Sequence, residues 1–222
     1  MLTTVANMAF KGWSTEAIDF YDGLEEDNSK GYWQLHKALY EAAVKQPMEE
    51  LLNELADEFG PGKIFRPNRD VRFSADKSPY KTNIAAAVGP FGYVTLSAEG
   101  LGVGAGMYVM ASDQLERYRR AVDLEKSGTA LELIVEAIKK KGYACAPSAP
   151  LKTAPKGYAK DHPRIALLNG KGIIVWKLWP VVTWLSTKNA KERVVDVLRS
   201  SIPLNNWLAE HVGDSELVSR SY

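Results

Sequence analysis

The chain has 222 residues, 45% of them hydrophobic and 25% charged, with a formal net charge of +1. That length can bury a sizeable core in one domain, residues 1–222, and the near-zero charge argues neither for nor against nucleic acid. No apolar stretch approaches the ~20 residues needed to span a bilayer, and the single Cys145 excludes an internal disulfide framework.

The N-terminal residues Met1-Leu2-Thr3-Thr4-Val5-Ala6 lack a basic run followed by an apolar core, so no secretory leader is expected. With the lone cysteine this fits a cytoplasmic setting. Residues 1–12 and 214–222 carry no core pattern and are expected to fray.

Ser14 reads as an N-cap opening a short helix through Ile18 and Phe20. After a break at Asp27–Gly31, a second helical pattern runs through Leu35, Leu39, Ala42, Leu51, Leu52 and Leu55 to about Phe59. Pro47 predicts a kink or two abutting helices, and Gly60-Pro61-Gly62 ends the pattern.

The period then changes to two. Phe65, Val71 and Phe73 fall on one side of an extended run, with Asp70, Arg72 and Ser74 on the other. Further runs carry Thr82, Ile84, Ala86 and Val88; Val94, Leu96 and Ala98; and Val103, Ala105, Met107 and Val109. Short turns between them predict an antiparallel meander over 64–109. Gly102, Gly104 and Gly106 share the other face of the last run, either to admit a ligand or to let a helix pack closely. An alternating strand is the wrong context for a dinucleotide fingerprint.

Ser112 reads as the cap of a helix with Leu115, Tyr118 and Val122. A second helix carries Leu131, Ile134, Val135 and Ile138, and ends in Lys139-Lys140-Lys141 before Gly142, where cations complement the helix dipole. Residues 144–163 read as a long surface loop. A late strand spans 172–178 and is apolar on both faces. A helix from about Thr187 uses Val194, Val195 and Leu198, and Pro203 opens a last short helix with Leu204, Trp207 and Leu208. The fold class is therefore α+β, a mainly antiparallel sheet packed with N-terminal, middle and C-terminal helices.

Charge is concentrated in two segments. Residues 66–81 and 152–164 together hold nine cations and three carboxylates, a net +6, leaving −5 on the rest of the chain. Such segments attract anions where they gather. In the first, Asp70 would orient Arg72 for a phosphate or carboxylate; in an extended strand Asp70, Arg72 and Ser74 would sit about 7 Å apart. Arg69, Lys77, Tyr80 and Lys81 join them as ligand-binding candidates, with Asp76 and Pro79 shaping the turn. In the second, Lys152, Lys156, Gly157 and Tyr158 are the candidates. His162, in a polar loop, is either a proton-transfer group alongside Asp70 or a hydrogen-bonded helix-entry residue.

Metal-ligand spacing, a phosphate-binding P-loop and a nucleophile elbow are missing from the sequence. No metal or cofactor is expected, and no reaction is assigned.

The run Arg69-Asp70-x-Arg72-Phe73-Ser74-x-Asp76-Lys77-x-Pro79-Tyr80-Lys81 resembles the hallmark of the conserved-hypothetical family called domain of unknown function 2461. Lys156-Gly157-Tyr158 with Asp161-His162-Pro163 and Lys171, and Pro203-Leu204 with Trp207-Leu208, resemble its later blocks. Phe65-Arg66-Pro67-Asn68 departs from the family's plain strand and allows an early strand end. The resemblance implies an α+β domain and brings no activity. The leading expectation is a pocket for an anionic small molecule, phosphorylated or carboxylated, with no membrane partner. The alternatives are a nucleic-acid binder using the same basic surface and a non-catalytic interaction module whose signature is a structural ion-pair network.

Overall fold

A computed structural model describes residues 9–72 and 74–217. Phe73, placed by its alternation on a strand, lies outside the described residues, as do 1–8 and 218–222. The fold is α+β, with helices and a six-stranded antiparallel sheet in the order β1-β2-β3-β4-β6-β5. The chain divides into two compact units, Met1–Val103 with Leu178–Asp196, and Gly104–Lys177 with Val197–Tyr222.

The first unit opens with α1 (Thr15–Glu26) and α2 (Lys30–Leu39). A π-helical segment, Tyr40–Lys45, joins α2 to α3 (Gln46–Phe59). Pro47 sits in the first turn of α3, where its missing N–H costs little, and the wide turn precedes it. Two apolar stripes compete on this stretch. The aromatic one wins: Trp33, Tyr40, Val44, Met48, Leu51 and Leu55 are buried, whereas Leu35 is 79% exposed. Ala42 is exposed too. Large rings bury more apolar area per residue than the Leu35 stripe, so they set the inward face. Trp33 and Tyr40 pack at 4.8 Å, and Phe20 meets Trp33 edge-on at 5.8 Å.

Strands β1 (Gly62–Ile64), β2 (Asn83–Val88) and β3 (Gly92–Ser97) then pair antiparallel in sequence. The expected strand through residue 74 is not found among the described residues: β1 stops at Ile64, and 65–72 and 74–82 carry one isolated bridge, Asn68 to Tyr80. Pro67 and Pro79 remove ladder donors on both sides of this stretch, which defeats the two-residue alternation. Asp70, Arg72 and Ser74 consequently do not share a strand face.

Strand β4 (Gly100–Met107) follows. In the second unit the glycines of β4 meet a strand rather than a helix. A Cβ on Gly104 would lie 2.8 Å from the Trp176 ring, and Gly106, at φ +109°, abuts the Ile173 carbonyl. Val109, expected on the buried face, is past the strand end and 60% exposed.

Helix α4 (Ser112–Asp123) is capped by Ala111, whose N–H donates to Gln114 Oε1 at 3.0 Å, so Ser112 is its first residue rather than its cap. Helix α5 (Glu125–Lys140) buries Leu131, Val135 and Ile138. The expected loop at 144–163 begins instead as strand β5 (Ala144–Ser148), which pairs antiparallel with β6 (Gly172–Trp179). It ends the sheet order, the position where Pro147 is tolerated. A short helix α6 (Ile165–Leu168) precedes β6.

Helix α7 (Asn189–His211) runs through Pro203 without a break, correcting the expected separate helix. Pro203 denies the Arg199 carbonyl its helical donor, but Arg199 is on the exposed face. Leu204, Trp207 and Leu208 are buried, as expected. Residues 213–217 are tied to α4. Arg117 donates to the carbonyls of Val212 and Asp214 at 2.6 Å each, and Asp113 accepts from Ser215 and the Glu216 N–H at 2.8 Å.

Candidate functional site

The two basic segments belong to different units. In the first unit the signature is a closed loop. Its neck is made by Arg69 N–H donating to Pro79 O at 2.9 Å and Lys81 N–H to Pro67 O at 2.8 Å. These bonds flank the Asn68–Tyr80 bridge, so Tyr80's own N–H and C=O point away from it. Asn28 takes both: its Oδ1 accepts from Tyr80 N–H and its Nδ2 donates to Tyr80 O, each at 3.1 Å. One side-chain amide thus substitutes for a neighbouring strand. The Tyr80 ring, 7% exposed, stacks on Trp33 at 4.3 Å and 10°. Tyr80 is therefore an anchor with its face covered.

Beyond the neck the loop bonds to itself. Asp70 holds Arg72 at two points, Nε at 3.0 Å on Oδ1 and Nη2 at 2.7 Å on Oδ2, and Oδ1 also accepts the Arg72 N–H. The Arg72 side chain is nevertheless 76% exposed. Its hydrogen bonds hold the Asp70 carboxyl at about 2. Arg69 pairs with Asp76, which also accepts from the Ser78 hydroxyl at 2.7 Å and the Ser78 N–H at 2.9 Å in an Asx turn. Those bonds, the Ser78 hydroxyl foremost, hold the Asp76 carboxyl well below the usual carboxylate range. Lys77 Nζ donates to the Val71 carbonyl at 2.9 Å, and Lys81 Nζ lies 5.8 Å over the Phe65 ring. Ser74 is half-buried, its N–H donating to Val71 O at 3.4 Å. Both carboxylates are thus used to shape a loop of net charge +3 over residues 66–81.

In the second unit, residues 151–164 lie as a chain of turns. Tyr158 N–H bonds Pro155 O at 3.1 Å and His162 N–H bonds Ala159 O at 3.2 Å. Pro155 is buried; Lys152, Lys156, Gly157 and Lys160 are exposed. Gly157, at φ +93°, has open space where a Cβ would be. His162 is held at both ring nitrogens. Nδ1 accepts from Arg164 N–H at 3.0 Å, so Nε2 carries the proton and donates to Asp123 Oδ1, also at 3.0 Å. The Tyr158 ring meets the His162 ring edge-on at 6.2 Å. Arg164, 7% exposed, is consumed by Glu132 and Glu125 at 2.9 Å and Thr129 at 2.8 Å. This cation, part of the second segment's charge, is a buried tie onto α5.

Sequence reasoning missed Asn28, which sits in a polar helix break with no periodicity. It also missed Asp123 and Arg119, whose i, i+4 spacing on α4 was the available signal. Among the described residues no group of three or more His, Cys, Asp or Glu is placed to hold a metal, and no helix is long and apolar enough to cross a membrane.

The chain matches the family described as conserved hypothetical protein (DUF2461) over residues 16–207. It belongs to that family. The description names no activity, so the membership groups the residues without assigning them chemistry. No curated protein and no solved structure matches the chain.

Proposed function

We propose that this DUF2461 chain binds an anionic small molecule, phosphorylated or carboxylated, through the signature loop at residues 66–81. The observation that carries the reading is Arg72. Its guanidinium is fixed at two points by Asp70 while the side chain as a whole is 76% exposed, so it is oriented and solvent-accessible together. A planar fork held in one orientation engages a phosphate or carboxylate at lower entropic cost than a free one. Arg69, Lys77 and Lys81 contribute positive potential, Ser74 a hydroxyl, and Tyr80 the anchorage of the loop. Asp70 acts by orienting: it is ionised at neutral pH and is an acceptor only. His162 serves as a clamp between Asp123 and the Arg164 amide, and a proton-transfer role would require it to release one of them.

The self-pairing of Arg69 with Asp76 and Arg72 with Asp70 favours a second reading, an interaction module in which the loop is only structural.

A thermal-shift screen against phosphorylated metabolites, nucleotides and organic acids separates the two. Both partners of the Arg72–Asp70 pair are solvent-screened, and exposed pairs of this kind add little to folding stability. Arg72→Ala should therefore leave the ligand-free melting midpoint near that of the parent and abolish stabilisation by the best anion. Stabilisation that survives in Arg72→Ala refutes the first reading. Steeply salt-dependent binding to DNA or RNA, with no small-molecule effect, would move the function to nucleic acid.

A further inference from the structure

The arginines of the second unit differ in what they bind. Arg117 is taken by Asp113 and two carbonyls, Arg120 by Glu116 at 3.2 Å, and Arg164 by two glutamates. Arg119 has no carboxylate. Its Nε donates to the Leu168 carbonyl at 3.2 Å, and its two terminal nitrogens have no hydrogen bond or ion pair among the described residues. A half-buried cation pinned at one nitrogen, with two others unspent, is an arrangement that an oxyanion completes. Burial lowers the Arg119 pKa, as it does for a charge short of counter-ions.

The surroundings supply the rest. Arg119 and Asp123 are one turn apart on the same face of α4. Asp123 takes His162, and His162 meets Tyr158, so this series of contacts lays residues 158–162 along the face that carries Arg119. Burial pushes the Tyr158 phenol pKa up, with Asp123 and Glu116 adding to the rise and the Arg119 and Arg120 charges opposing it. The turn ahead of Tyr158 presents Lys156 beside open Gly157. Lys152, Lys156 and Lys160 have no ion-pair partner among the described residues either. Of the two carboxylates that act on Tyr158, Asp123 is engaged by His162 and Glu116 by Arg120, and Asp161 is exposed.

We propose that Arg119 anchors an oxyanion site built from the second unit's own residues, one that takes the phosphate group of a small phosphorylated molecule. The Arg119 terminal nitrogens grip two phosphate oxygens, the Tyr158 hydroxyl donates to one of them, and Lys156 supplies the second positive charge. A dianionic phosphate is favoured over a carboxylate because several uncompensated cations, rather than one, gather on this segment.

The site uses no residue of the signature loop, and its test keeps the two apart. Inorganic phosphate is titrated calorimetrically into Arg72→Ala protein, in which the signature site is disabled, and into the same protein carrying Arg119→Gln. Arg72→Ala should bind phosphate saturably and more tightly than acetate. Adding Arg119→Gln should weaken that binding about tenfold or more, the effect of losing a charged hydrogen bond. In the unsubstituted protein the side-chain Nε–H resonance of Arg119 should shift during the titration, a readout that needs no variant to fold. Absence of saturable binding in Arg72→Ala, equal affinity with and without Arg119, equal affinity for acetate, or an unmoved Arg119 resonance would each overturn the assignment.

Discussion

Asn28→Ala tests whether the signature loop is hung on one side-chain amide. Asn28 satisfies both backbone groups of Tyr80, at 3.1 Å each, where a further strand would otherwise do so. Tyr80 is 7% exposed, so removing Asn28 orphans a donor and an acceptor at a nearly dry position. An unsatisfied buried group costs about 1–3 kcal/mol. Asn28 itself is only half-buried, so entering water recovers part of this; the low end, about 1 kcal/mol per group, gives about 2 kcal/mol in all. At roughly 2–4 °C per kcal/mol for a chain of this size, the midpoint should fall by about 4–8 °C. Thermal melting followed by far-ultraviolet dichroism reads the shift. Asn28→Asp keeps the acceptor for Tyr80 N–H but sets a carboxylate against the Tyr80 carbonyl, so it should rescue little. A midpoint within ~1 °C of the parent for Asn28→Ala would show that water or a rearranged neck replaces the amide without penalty.

Gly128→Ala should destabilise the protein although alanine favours helix by about 1 kcal/mol, because the added Cβ meets the Val122 carbonyl and the Arg164 side chain at 2.9 Å; urea denaturation gives the sign. The Asp70 carboxyl should titrate at about 2 by carbon-detected resonance and return toward ~3.9 in Arg72→Ala. Its folded pKa is depressed, so the contact with Arg72 is fully present above the unfolded value near ~3.9 and is lost as pH falls through about 2. Asp70→Asn separates orientation from potential. It adds one positive unit to the loop, so a purely Coulombic site would bind anions more tightly, whereas a site that needs Arg72 held in place should bind them more weakly by calorimetry.

The strands from 83 to 107 were legible because each keeps its period long enough to mark an inward face: Ile84, Val94, Leu96, Val103 and Ala105 are all buried. The helices α1, α4 and α5 were legible from their apolar spacing. The period failed where a local steric rule competed with it. The alternation of Phe65 and Val71 looked like a strand, yet prolines at 67 and 79 break the ladder on either side. Pro147 and Pro203 misled in the opposite direction, since an edge strand and an exposed helix face both tolerate proline. At the candidate site, the sequence named the charged residues but could not say which charges cancel. Arg164 counted toward a basic segment and is buried between two glutamates; Arg119 was unremarkable and has no carboxylate.

That difference bears on how each unit would recognise an anion. In the signature loop each carboxylate holds a cation of the same loop: Asp70 with Arg72, Asp76 with Arg69. Much of the local field is therefore neutralised, and what these pairs leave is geometry, the guanidinium of an exposed side chain kept in one orientation. On α4 the logic is reversed. Arg119 is fixed by a neutral carbonyl, which orients it without cancelling its charge, and partial burial reduces the screening that solvent would provide. Screening falls hardest on exposed charges. Raising ionic strength with a non-binding salt should therefore erode the Arg72 contribution to anion binding, read as the affinity lost in Arg72→Ala, more than the Arg119 contribution, read as the affinity lost in Arg119→Gln.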